Sequence, residues 1–539
     1  MRTDEFGRRG MIYEPMLGEK GFDVRVCAAL VALIWITRFW HAAQFGFYED
    51  DYFLVAWGFG MDSRGVWETV KDSFTRSVHA RPVGWSMQMV VSLLAYNAGG
   101  VVAIYGAAAA MVAANAIAFY LLMKRISNDA QFAVAASVAF CLFPADTTQA
   151  FLTHIFLQFS LLLVLLSLHA YLAGHAWVAR GLAGLTLVCY ESVYLLSLAA
   201  PVLDPGWNRG QWRRALKHAA WLLAILFVYA GVRMQTGESR VAGINAAAAA
   251  WLSLRNVVTG SANAVAMYIV RPVDVLAAMD GELWLWCGVA AALIWWVLSR
   301  GGASGAPHLP LAWRGLLMLP LAYPFTVILN GADTAGRGSR VHMAAAPGAA
   351  MLVGVACVWL LRRQQGRRAA VAVAVVLSLL TGFGHTVQHG YASAWEEQKE
   401  LWSSVDRLCR DVGDGTVIIV DPGPEPEPPR AIKAVGWSVG LALLKIFQFP
   451  AEWKEAPLAE RSRNLVVKDG GVGVQVVHGG LIRMLPAGNT IVLEYREGRW
   501  ARRDGELEFG GVRLALKQRV RGAGTPLGRG FLYREVFGR

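Results

Sequence analysis

Apolar blocks of roughly 20 residues follow one another along this chain, bordered by clusters of Lys and Arg, and they limit its possible folds more than any other feature. In a bilayer every backbone polar group must be satisfied internally, so each such block is expected to be a spanning helix. Of the 539 residues, 55% are hydrophobic and 17% are charged, against about 25% charged in ordinary soluble domains. The expected fold class is an α-helical polytopic membrane protein. The formal charge of +12 comes from basic residues beside apolar segments, which is what orientation in a membrane requires, so nucleic acid is not an expected partner. The cysteines are Cys27, Cys141, Cys189, Cys287, Cys357 and Cys409, and all but the last lie in apolar blocks. They define neither a disulfide framework nor a paired metal motif.

The excess of Lys and Arg on cytoplasmic loops orients the blocks. Residues 1–25 carry Arg2, Arg8, Arg9, Lys20 and Arg25 among acids and form a cytoplasmic segment ahead of an uncleaved anchor at about 26–42. Residues 43–97 then make an outer loop, with amphipathic helices along the interface. Spans are expected at 99–123, ending inside at Lys124-Arg125, and at 130–144. The outer turn 144–149 leads to a span that descends to Arg180. The block 181–203 has basic flanks on both sides and suits two short or re-entrant helices. Further spans at 218–235, 283–298, 314–330, 341–361 and 369–386 bring the total to about eleven. Residues 26–388 are thus expected to form a transmembrane domain.

After His389 the pattern changes to that of a small periplasmic α+β domain, 389–539. Trp395–Arg410 reads as an amphipathic helix, Thr416–Asp421 as a buried strand and Pro422–Pro429 as a Pro/Glu-rich loop. Alternating runs at 465–468, 474–477 and 490–495 read as strands. Residues 431–449 read as a helix packed on that domain or on the interface rather than as a further span.

Glu49, Asp50 and Asp51 stand in a row a few residues past the first span. Carboxylates are costly beside a bilayer, and a cluster of them there marks a ligand or chemistry. The other reading is that they cap the following helix, although one cap needs one acid. An uncleaved first span, an outer acidic pair and then Arg81-Pro82-Val83-Gly84 together resemble the C-type glycosyltransferase superfamily (GT-C). The similarity is to family 39 protein mannosyltransferases and to bacterial lipid-modifying and O-antigen-modifying transferases. It covers about residues 20–200 and, more weakly, 310–361.

That resemblance implies an enzyme that takes a sugar from a polyprenyl-phosphate donor and passes it to a lipid, glycan or protein acceptor. Its acidic pair corresponds to Asp50 and Asp51, with the extra Glu49 leaving the register open. Transfer with inversion at the anomeric carbon needs a carboxylate as general base on the acceptor hydroxyl. Asp50 is the candidate base, and Asp51 would hold the acceptor, orient Asp50 or ligate a divalent ion. Arg337 and Arg340, between glycines in an outer loop, offer planar forks suited to a lipid phosphate, or else anchor a span end at the interface. Arg81 could bind the same phosphate or the acceptor, while Pro82 suits the opening of a helix. Asp146 lies where the superfamily often keeps an acid, yet it also suits an N-cap. Glu191, a carboxylate inside an apolar block, should face a polar cavity or pair with a buried Tyr or Arg. His154 is a weaker candidate of the same kind. Glu49, Arg81, Asp146, Glu191, Arg337 and Arg340 are therefore the candidate substrate-binding residues. A transporter or flippase for a lipid-linked or anionic solute would use the same residue types, but paired halves with broken helices are not evident.

Overall fold

The computed structural model describes residues 17–75, 80–205, 207, 209–235, 245–301, 309–363, 367–423, 432–476, 481–519 and 527–538. Most of the charged segment before the first span and most of the Pro/Glu-rich loop lie outside the described residues. Among those described, seven helices are long and apolar enough to cross a membrane: Gly21–Gln44, Pro82–Ser127, Leu152–Leu172, Trp212–Gln235, Gly281–Leu298, Arg337–Arg363 and Arg367–Leu408. Three further apolar helices, Ala130–Cys141, Glu191–Leu203 and Leu309–Leu321, are shorter than a perpendicular crossing needs. The blocks at 130–144 and 314–330 thus yield helices of only 12 and 13 residues. In the second, Pro320 lies in the last turn and Pro324 follows, which removes backbone donors where the helix would have continued.

Other boundaries moved for equally local reasons. Gly99 and Gly100 break Pro82–Ser127 into two helices, with Gly100 at φ +65°, so an added helix precedes the span expected at 99–123, which itself starts in place. Gly174, at φ +86°, ends Leu172's helix and starts a new one over Ala176–Leu187. The chain therefore turns before Arg180, not at it. Arg180 lies buried within that second helix, its guanidinium 4.7 Å from the Trp177 ring and 5.5 Å from the Trp221 ring. The helix continues through Gly390, and the expected helix from Trp395 is the continuation of Arg367–Leu408.

The chain forms two compact units. The first comprises residues 1–42, 64–88 and 104–388. Small residues let its helices approach closely. A Cβ on Gly348 would come within 2.8 Å of the Gly315 carbonyl, and one on Gly354 within 2.7 Å of the Ala136 Cβ. Half-buried ion pairs tie helix ends together: Lys124 Nζ meets Asp23 at 2.8 Å and Arg362 meets Asp129 at 2.7 Å. Arg314 Nη2 donates to the Asp204 carbonyl at 3.0 Å. All six of these residues belong to segments that the basic flanks assign to one side of the membrane. At the opposite helix ends, Thr147 N donates to Ser339 Oγ (3.0 Å) and Arg271 Nη2 donates to the Thr334 carbonyl (2.9 Å). Helix ends expected on one side of the membrane thus meet one another, and so do ends expected on the other.

The second unit comprises residues 43–63, 89–103 and 389–539. Its main sheet orders the strands Leu458–Arg461, Val417–Asp421, Thr490–Arg496 and Arg499–Arg503. The first two junctions are parallel and the last is an antiparallel hairpin. Leu465–Lys468, Gly471–Gln475 and Ile482–Met484 make a separate antiparallel sheet. Val417, Ile419, Val472, Val474 and Val492 share one apolar core. Their β-branched side chains suit a buried pleated surface, which is why these runs become strands. Residues 439–446 form a helix of 8 residues, too short to span, packed against the short helix Asp51–Leu54.

Candidate functional site

The acidic run belongs to the second unit and is fixed from several directions within it. Glu49 takes a left-handed backbone (φ +40°), rare for a residue with a side chain. A one-turn helix, Asp51–Leu54, follows. Tyr48 Oη donates to the Tyr391 carbonyl at 2.7 Å, and Tyr52 Oη donates to Gln398 Oε1 at 2.7 Å. Gln398 Nε2 in turn donates to the Phe47 carbonyl at 3.0 Å. The Trp395 ring lies against Gly46 so closely that a Cβ there would sit 1.9 Å from it. Residues 46–52 are thereby clamped to one face of the long helix through residues 391–398.

All three acids are buried, Asp51 completely. Asp51 Oδ2 accepts the Tyr48 backbone N–H at 3.0 Å, so this carboxylate closes the turn that carries the other two. Asp50 stands at the N-cap position but makes no side-chain cap hydrogen bond. Its Oδ1 instead accepts the indole N–H of Trp437 at 2.6 Å. Gly436 lets that segment close over the acids, since a Cβ there would lie 2.7 Å from Glu49 Cγ. Nothing in the sequence links Trp437 to residue 50; only the fold brings them together.

Asp146, His154, Arg337 and Arg340 belong to the first unit, where the turn 144–154 meets the 3₁₀ helix Arg337–Ala345. Asp146, Thr147, Thr148 and His154 are buried. Asp146 Oδ1 accepts from the Thr148 backbone N–H (2.8 Å) and from Thr148 Oγ1 (2.6 Å). This is a closed Asx turn, not a helix cap. Burial raises the Asp146 carboxyl above the usual carboxylate range, opposed by the Thr148 hydrogen bonds and by the charges of Arg38 and Arg340. Arg337 and Arg340 also act electrostatically on His154. Ser339, between the two arginines, accepts the Thr147 N–H, and Gly336 turns the chain with φ +67°. The sequence therefore selected residues that do converge. It missed Arg38, whose Nη2 donates to the Phe143 carbonyl at 2.6 Å from within the first apolar block. A charge inside a span was the available signal.

Arg81 and Glu191, also in the first unit, are brought together as a pair. Arg81 Nε donates to Glu191 Oε2 at 2.9 Å and Arg81 Nη2 to Oε1 at 2.6 Å. Arg233 Nη1 approaches the same carboxylate at 3.4 Å, and the Arg81 guanidinium lies 4.6 Å from the Tyr190 ring. Gly84 permits this packing, since a Cβ there would meet the Cys189 carbonyl at 2.8 Å. The arginine pairing foreseen for Glu191 is thus made, and its partner is the other candidate.

No family model matches the chain, and no curated protein or solved structure matches it. The site therefore stands on its own geometry.

Proposed function

We propose that this protein is an inverting glycosyltransferase of the bacterial inner membrane, which moves a sugar from a polyprenyl-phosphate donor to an envelope acceptor on the periplasmic side. The observation that carries this reading is the state of Asp50. Its carboxylate is held on a clamped, strained turn yet does not cap the helix that follows. A carboxylate so positioned suits a general base, which must reach the acceptor hydroxyl in a fixed geometry. Of the roles open to Asp51, orientation of Asp50 agrees best with its hydrogen bond to Tyr48. Trp437 would hold the Asp50 oxygen that does not receive the proton. The Arg337 and Arg340 guanidinium groups, beside a buried polar turn, supply the cationic, bidentate chemistry that a lipid phosphate requires. In this reading the three short apolar helices join the seven long ones in a bundle of about ten membrane segments, against the eleven expected from the sequence, and the α+β region lies outside.

The test is a transfer assay with polyprenyl-phosphate sugars beside a thermal melt. Asp50→Asn keeps the size of the side chain and an oxygen acceptor for Trp437, so folding and donor binding should persist while turnover falls by about 100- to 10,000-fold. Trp437→Phe should lower turnover less, because it releases the carboxylate without removing it. A fully active Asp50→Asn protein with an unchanged melt would reject Asp50 as the base.

A further inference from the structure

At the outer end of the first span, outside the groups discussed so far, His41 approaches Glu282 and His385. The three residues come from segments far apart in sequence, all within the first unit. One ligand atom from each lies within 4.8 Å of the other two, and His41 Nε2 is 3.2 Å from Glu282 Oε1. We propose that His41, Glu282 and His385 form a binding site for one divalent transition-metal ion of the zinc class.

The geometry and the donor set both point to such an ion. Zinc binds imidazole nitrogen and carboxylate oxygen at about 2.0–2.2 Å, which in a tetrahedron separates neighbouring ligand atoms by roughly 3.3–3.5 Å. The His41–Glu282 separation already meets that requirement, and a ligand atom of His385 lies within 4.8 Å of both. Two imidazoles disfavour magnesium and calcium, which prefer oxygen ligands, and favour the later transition ions. His385 is fully buried, while the Glu282 side chain is 43% exposed. The ion would therefore be reached from the Glu282 side, with a fourth position open to water on that side.

The surroundings fix the backbone at His41 and pack the His385 ring. The His41 backbone N–H donates to Gln388 Oε1 at 3.0 Å, and Gln388 Nε2 donates to the Ile36 carbonyl at 3.0 Å. The His385 ring lies parallel to Trp286 (10° between planes, centroids 5.1 Å apart), and Trp40 packs on the same indole at 4.3 Å. The His41 and His385 rings meet edge to face, 5.6 Å apart. Just before them the first span contains a π-helical turn, Trp35–Phe39. Such turns re-aim the residues that follow and recur at functional sites.

The experiment uses the full chain in detergent, stripped with a chelator and dialysed against zinc, with bound metal counted by elemental analysis. Cobalt, titrated in parallel, reports its ligands through its visible absorption. One zinc per chain is expected, with magnesium failing to compete at a large excess. Glu282→Gln should weaken zinc binding at least ~10-fold and alter the cobalt spectrum. His41→Gln and His385→Gln should each abolish stoichiometric binding. Because Glu282 is half-exposed, its variant should melt as the metal-free wild type does, so it decides the matter even where a histidine variant fails to fold. Absence of stoichiometric zinc on the wild type would overturn the proposal, as would undiminished zinc on Glu282→Gln. In either case the cluster would be a structural contact without a metal.

Discussion

At the scale of single residues, charge in an apolar setting is the most readable signal, and pairing is what it hides. Glu191 stood out in the sequence because a carboxylate inside an apolar block needs a partner. The fold supplies two, Arg81 and Arg233. This makes the group asymmetric. Glu191→Gln leaves two largely buried guanidinium groups side by side without their anion, whereas Arg81→Met leaves Arg233 to hold the carboxylate. Breaking a buried pair by removing one partner costs about 3–5 kcal/mol, and Glu191→Gln should approach that figure. Arg81→Met should cost clearly less. Thermal melts of both variants in detergent test the order; equal losses would mean that Arg233 does not engage Glu191. Asp50 teaches the complementary lesson. Its residue type and position were legible, but its hydrogen bond to Trp437 spans 387 positions of sequence. No local pattern encodes a contact of that range.

At the scale of elements, the apolar blocks announced helices, while their ends depended on single glycines and prolines. The break at Gly99-Gly100 and the early turn at Gly174 both use positive φ, which is open to glycine at little cost. Strands were harder to read. Leu465–Lys468 is where its alternation placed it, but Leu458–Arg461 and Arg499–Arg503 carry charged residues that blur a period of two. Those charges are accommodated by the fold: Arg502, on the latter strand, is bound to Asp411 at 2.5 Å. Helix packing makes a sharper prediction. Gly354 faces the Ala136 backbone and Cβ at under 3 Å from any added Cβ, so Gly354→Leu must push apart the helices Ala346–Arg363 and Ala130–Cys141. Overpacking of this kind costs on the order of 1–3 kcal/mol. Gly181, whose added Cβ would meet nothing within 4 Å, is the control: Gly181→Leu should melt like the wild type. A Gly354→Leu variant that melts like this control would show that the two helices can separate freely.

At the scale of the whole molecule, the basic flanks carried information beyond the side of each loop. Asp23, Lys124, Asp129 and Arg362 were all placed on the inner side, and they pair among themselves. Thr147 and Ser339, both placed outside, likewise meet. A reversed or shifted segment would have had to bring an inner end against an outer one, so these pairs check the alternation without reference to any membrane. The Lys and Arg excess assigns the first set to the cytoplasm. Single cysteines test that assignment. Lys468 and Arg368 are both exposed, and the native cysteines are buried or half-buried, which keeps background labelling low. A membrane-impermeant maleimide should modify Lys468→Cys in cells with a permeabilised outer membrane, and Arg368→Cys only once the inner membrane is opened. Lys468 belongs to the same compact unit as Asp50, so its label also reports the side of the acidic turn. The opposite labelling pattern would put that turn in the cytoplasm and remove the basis for transfer from a lipid-linked donor at the outer face.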